Sequence, residues 1–167
     1  PNALLKALAQ IRAEESMAEG AGAVWTMQVN GNHEDGSPFI TAMFTYAGGV
    51  GARATKPGLS ACSYPTGISA VPVEVVEASA PIHFHRKELR QGSGGDGAQS
   101  GGLGQTVEFS VDTALKWELN AVTSRLSEPP QGIFGGRPGA PGSFSVNGEA
   151  VTTQSRITLG PDDVVCL

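Results

Sequence analysis

Three glycine-rich stretches constrain this chain more than any other feature. They occupy residues 47–72, 91–104 and 132–142, the last reading GIFGGRPGAPG. Glycine and proline weaken helix interiors and are tolerated poorly inside sheets, so they leave only short regular pieces between the loops. The 23 glycines and 11 prolines among 167 residues are roughly one residue in five, against roughly one in eight in average usage. Charged residues are 16% and hydrophobic ones 40%. The first figure argues against a coiled coil, and the second against a charge-rich disordered chain. We expect an α+β, β-dominated domain spanning residues 1–167, with one N-terminal helix followed by mostly antiparallel strands and long glycine-rich loops.

The charge balance narrows the partners. The formal net charge is −5 and the pI about 5.1. An acidic chain lacks the cationic footprint of nucleic-acid binding and the polybasic patch that holds proteins to anionic membranes. No apolar run approaches the length of a bilayer span. Lys6 interrupts the N-terminal leucines, with no basic segment before them, so a signal peptide is not expected. The cysteines, Cys62 and Cys166, form no C-x-x-C pair and are expected as reduced thiols in a cytoplasmic protein. The chain starts at Pro1 and stops within an apolar strand, Val164 to Leu167, so we expect a fragment, a cleaved product or a separately built part of something longer.

Periodicity supplies the elements. Asn2 to Glu19 reads as a helix with Asn2 as N-cap, Leu4, Leu5, Leu8 and Ile11 as its apolar stripe, and Gly20 and Gly22 as its stop. From Val24 to Asn30 the pattern alternates as in a half-buried strand. Asn30-Gly31-Asn32 and Glu34-Asp35-Gly36 offer turn chemistry, and Phe39 to Tyr46 should return as the partner strand. Further strands are expected at Val73–Ala78, Pro81–Leu89, Thr106–Val111 and Leu115–Val122. Short ones are expected near Phe144–Val146, Val151–Thr153, Arg156–Leu159 and Val164–Leu167.

Candidate chemistry is sparse. Gly49-Val50-Gly51-Ala52-Arg53-Ala54 matches G-x-G-x-x-A after a strand, but Pro57 and Gly58 would break the helix that a dinucleotide fingerprint requires. His83 and His85 share one face of a strand and could begin a metal site. His33 sits in a hairpin turn and Glu88 has the opposite parity, so a solvated face of His83, His85 and Lys87 is the simpler reading. Ser93 to Gly97 could form an anion-binding nest of backbone N–H groups. There is no G-K-[ST] and no G-x-S-x-G, and the adjacent Asp162 and Asp163 should point to opposite faces.

The glycine stretches also carry a resemblance. KELRQGSGGDGAQSGGLGQTVEF, Lys87 to Phe109, resembles the E-L-R, S-G-G-x-G and G-G-x-G succession of the hydantoinase B and 5-oxoprolinase family. GGVGARATKPGLSACSYPTGISAVPVEVVEA, Gly48 to Ala78, is similar to that family's G-G-x-G-A loop leading to x-P-V-E-V-x-E. Pro57-Gly58 stands here where Asp-Gly is frequent. IFGGRPGAPGSFSVNG, Ile133 to Gly148, resembles its G-x-P-G-x-x-G element. The resemblance implies the C-terminal part of a B-type subunit of an ATP-dependent cyclic-amide hydrolase, contributing structure and interface. Large subunits of ketone carboxylases are related. The implied partners are an A-type, ATP-binding subunit and the N-terminal part of the same subunit, with no nucleic acid and no membrane. ATP and a divalent metal are implied for the intact complex, and neither a cofactor nor a metal for this chain. The family's metal-bearing string of the N-D-P-Y…G-G-T-H…D type does not occur in this sequence, nor does its P-G-G-G-x-G ending, so no catalytic residue is carried over. A non-catalytic β-rich interaction module is the alternative.

Overall fold

A computed structural model describes residues 2–65, 67–152 and 156–167. Two antiparallel sheets dominate it. The first has strand order β2-β1-β5-β8, built from β1 (Trp25–Asn32), β2 (Pro38–Tyr46), β5 (Trp117–Val122) and β8 (Arg156–Leu159). The second has order β3-β4-β9-β6-β7, built from β3 (Ile82–Leu89), β4 (Gln105–Val111), β6 (Ser145–Val146), β7 (Glu149–Ala150) and β9 (Val165–Cys166).

Period-two patterning decides which faces meet. Met27 and Val29 of β1 and Trp117, Leu119 and Ala121 of β5 turn their side chains inward, while Gln28, Asn30, Glu118 and Asn120 alternate outward. Val107, Phe109 and Val111 do the same from the second sheet. The two inner faces share one core, where the Phe109 and Trp117 rings lie 6.5 Å apart. Trp117 satisfies its indole N–H by donating to the Gly160 carbonyl at 2.7 Å.

The expected hairpin forms, with Asn32 opposite Pro38 and Gly31 opposite Phe39. Gly31 leaves room for its partner, since a Cβ there would lie 2.6 Å from the Phe39 ring. The strands expected at 106–111, 115–122 and 156–159 are present within one or two residues of those bounds. The strand expected at Val151–Thr153 lies two residues earlier, at Glu149–Ala150, and Thr153 is outside the described residues.

Two expectations are corrected. The expected helix over 2–19 ends early. Helix α1 covers Asn2–Ala9, a 3-10 turn follows at Ala13–Glu15, and residues 16–24 are irregular, with one isolated bridge from Met17 to Arg53. The backbone of that segment is used elsewhere: Ala18 N–H donates to Ala52 O at 2.8 Å and Ala21 N–H to Gly49 O at 2.9 Å. A continued helix would have kept those amides for itself. Asn2, read as the N-cap, aims its side-chain amide at Gly20 O, 3.4 Å away. Residues 73–78, expected as a strand, form helix α2 (Val73–Ser79). Pro72 caps its start, and Val76 and Ala80, four apart, enter the core.

Candidate functional site: the glycine-loop cleft

The three glycine-rich loops, far apart in sequence, meet around one cleft. The loop after β2 packs backbone against backbone on the loop before β4. A Cβ on Gly49 would lie 1.8 Å from Gly102 O, and one on Gly102 would lie 2.0 Å from Leu59 O. No side chain fits such spacings, so glycine is required there. Hydrogen bonds lock the seam: Gly102 N–H to Val50 O at 2.9 Å, Gly58 N–H to Ser100 O at 2.8 Å and Ala61 N–H to Leu103 O at 2.8 Å. The third loop joins through Arg137 N–H to Asp96 O at 2.7 Å and Ala140 N–H to Ser93 O at 3.0 Å. Ser93 pins its own loop, donating to Arg90 O and accepting from Gly104 N–H.

These seams border an open cleft of about 460 Å³, which segment 16–24 lines from a further side. Glu19 stitches that segment to the rest. Its carboxylate faces Arg125 at 3.1 Å and Lys6 at 3.7 Å, and accepts the Gln131 N–H at 3.1 Å. Burial alone would raise its pKa. The Gln131 amide, followed by Arg125 and Lys6, outweighs burial and holds the carboxyl below its usual range. Trp25, Arg90 and Phe134 also line the cleft, and Arg90 donates to Pro141 O at 2.7 Å.

Motifs read separately in the sequence therefore belong to one place. Gly49 to Ala54, Ser93 to Gly97 and Gly132 to Gly142 all contribute to the cleft wall. Within Ser93 to Gly97, the carbonyls of Ser93, Gly95 and Asp96 accept hydrogen bonds from Ala140, Gly101 and Arg137. No helix N-terminus lines the cleft: β4 and β6 follow the second and third loops, residues 54–58 are bend and coil in the first, and α2, which follows the first loop at Val73, contributes no lining residue. The wall thus lacks the helix N-terminus of a dinucleotide or P-loop cradle. The Glu19–Arg125 pair and Phe134 were not singled out by the sequence. For Phe134, an aromatic residue just before Gly-Gly in a loop was the available signal.

His83 and His85 lie elsewhere, on the outer face of β3 at the sheet edge. Their rings meet edge-on, with centroids 4.9 Å apart. His85 Nε2 is 2.9 Å from Ser110 Oγ, and His83 Nδ1 is 3.6 Å from Glu77. A bulge between Phe84 and Arg86 shifts the parity beyond His85. Arg86 and Glu88 consequently share the outer face, with Arg86 3.2 Å from Glu108 on β4. Lys87, expected beside the histidines, pairs with the core residue Val107 and donates to Val71 O instead. Among the described residues no three His, Cys, Asp or Glu side chains converge as metal ligands, so they do not fit the metal that the resemblance implies for the intact complex. Asp163 caps the β8–β9 turn, accepting from Gly160 N–H and from Asn147, which depresses its pKa. Both cysteines are free thiols. No helix among the described residues is long and apolar enough to cross a membrane.

Comparison with known proteins agrees with the loop motifs. Residues 1–167 match the family described as Hydantoinase B/oxoprolinase. This chain belongs to that family. The chain is 32% identical over 124 residues to 5-oxoprolinase 1 of Arabidopsis thaliana, and 35% identical over 124 residues to 5-oxoprolinase PfmaA of Pestalotiopsis fici. Each alignment covers 72% of this chain and 9% of the relative, so the chain spans less than a tenth of their length. The fold is similar to that of an ATP-dependent caprolactamase from Pseudomonas jessenii. The TM-score is 0.75 at 21% identity, over 96% of this chain and 30% of that one. It is also similar to acetone carboxylase in a nucleotide-free structure, with a TM-score of 0.69 at 24% identity, over 84% of this chain and 19% of that one.

Proposed function

We propose that this hydantoinase B-type chain is the structural and interface-forming part of an ATP-dependent cyclic-amide hydrolase. The observation that carries this reading is the family match over all 167 residues, with 5-oxoprolinases among the relatives. In this reading the ATP-binding fold belongs to an A-type partner, and the metal-bearing element to the N-terminal part of the same subunit. In this reading the close glycine seams hold the chain in shape for contact with those parts and leave the cleft between the loops open. Their close seams suit packing better than phosphate binding, because phosphate cradles combine a glycine loop with a helix N-terminus and a cation. The compartment in this reading is the cytoplasm.

The test is reconstitution. The chain alone should neither hydrolyse ATP nor open 5-oxoproline or a hydantoin. The complete B-type subunit with its A-type partner should couple ATP hydrolysis to ring opening. Turnover by the purified chain alone would overturn the proposal. A ketone carboxylase is the second reading, favoured by the fold shared with acetone carboxylase. Bicarbonate-dependent consumption of ATP with a ketone, and none with a cyclic amide, would select it.

A further inference from the structure

The glycine-loop cleft has the size, charge and aromatic rim of a ligand site. We propose that it binds a small monoanion made of a planar apolar ring and one carboxylate. This stands independently of the cyclic-amide reaction. A volume of about 460 Å³ falls within the range of small-molecule sites. The chain carries a net charge of −5, yet the charged side chains on this cleft are four arginines and three carboxylates. One net positive charge suits a singly charged anion better than a phosphate.

The arginines are not equivalent. Arg125 is committed to Glu19, Arg53 to the Pro57 carbonyl and Arg90 to the Pro141 carbonyl. Among the described residues the Arg137 guanidinium has no partner, and it is exposed on the cleft. A carboxylate offers it two parallel acceptors, the geometry a guanidinium matches best.

The ring is assigned to Phe134. The residue is 71% exposed, and its backbone sits at φ 50°, in the left-handed region that bulky residues avoid. Gly135 follows at φ 87°, and Gly136 N–H closes the turn on Ile133 O at 3.0 Å. Asn or Gly would make this turn without strain. The turn instead holds an aromatic ring in solvent three residues from the uncommitted guanidinium. Trp25 supplies a second aromatic in the same wall.

Benzoate is the probe, with benzamide as its neutral isostere and inorganic phosphate as the ring-free anion. Binding is read from the two indole N–H signals of nitrogen-labelled protein. Trp25 lines the cleft, whereas Trp117 is in the core and serves as the internal control. We expect millimolar benzoate to move the Trp25 signal and leave Trp117 in place. Benzamide and phosphate should each bind at least about tenfold more weakly. R137Q should abolish benzoate binding without changing the melting temperature. F134G should weaken binding while leaving the melting temperature equal or higher, because it relieves the turn. F134N, which also tolerates positive φ, should behave likewise. No benzoate response, equal binding of benzamide or phosphate, or full benzoate affinity in R137Q would each overturn the site. Should both Phe134 variants melt early, R137Q decides the matter alone.

Discussion

Gly49 and Gly102 meet backbone to backbone across two loops, so closely that a Cβ on Gly49 would overlap the Gly102 carbonyl. The neighbouring Val50 carbonyl accepts the Gly102 N–H at 2.9 Å, so neither strand of the seam can retreat without losing a hydrogen bond. Gly49→Ala and Gly102→Ala should therefore each destabilise the fold by about 3 kcal/mol or more, the upper part of the overpacking range. Gly36→Ala is the control. Gly36 has φ +84° and nothing within 4 Å of its would-be Cβ, so only conformational strain of about 1 kcal/mol applies. Midpoints of urea unfolding check the contrast, and equal losses at the three sites would contradict it.

Acid sensitivity should run partly through Glu19. Its folded pKa lies below the ordinary 4.5. A carboxyl depressed in this way contributes stability that is fully present above its unfolded value and is lost as pH falls through its folded value. Wild type should exceed Glu19→Gln in stability at neutral pH, and the difference should shrink as the pH drops below about 4.5. Unfolding free energies measured from neutral pH downward test this. A difference constant with pH would remove Glu19 from the acid response.

Trp117→Phe should cost about 1–3 kcal/mol. The ring is only partly replaced, and the Gly160 carbonyl loses the donor now 2.7 Å away. Gly160 lies in the turn held by Asp163, so hydrogen exchange should rise at the amides of Gly160, Asp162 and Asp163 before it rises in β1. Uniform loss of protection would instead place the effect in the core alone.

His83 and His85 should hold no stoichiometric zinc. Both rings are exposed, and their polar neighbours are one hydroxyl and one carboxylate on different elements. Elemental analysis of purified protein should give the same zinc content for wild type and the double alanine variant. Zinc at one equivalent, lost in the variant, would contradict this.

Local chemistry made several parts of the protein legible from sequence. The β1–β2 hairpin could be read because alternating side chains and turn residues are specified by near neighbours. The loop motifs marked the family because glycine is demanded wherever two backbones touch, and Gly49, Gly95 and Gly102 all lie at such contacts. Segments whose structure depends on distant residues could not be read this way. Val73 to Ala78 carries the β-branched pattern of a strand, yet it is a helix: Val76 and Ala80 are buried while Ala78, which a strand would place on their face, is exposed. Residues 10–19 are expected to continue the helix, yet the Ala18 amide bonds to Ala52 in the loop around Gly49, and the expected apolar stripe is itself largely exposed, Leu4 at 65% and Ile11 at 79%. The bulge beyond His85 likewise exchanged Lys87 for Arg86 and Glu88 on the outer face, a one-residue shift set by pairing with β4. Nearby residues specified the β1–β2 hairpin and the family motifs, while α2, the end of α1, the β3 bulge and the cleft came from non-local contacts. The sequence lists the three loops far apart, and only folding brings their carbonyls and amides within hydrogen-bonding distance.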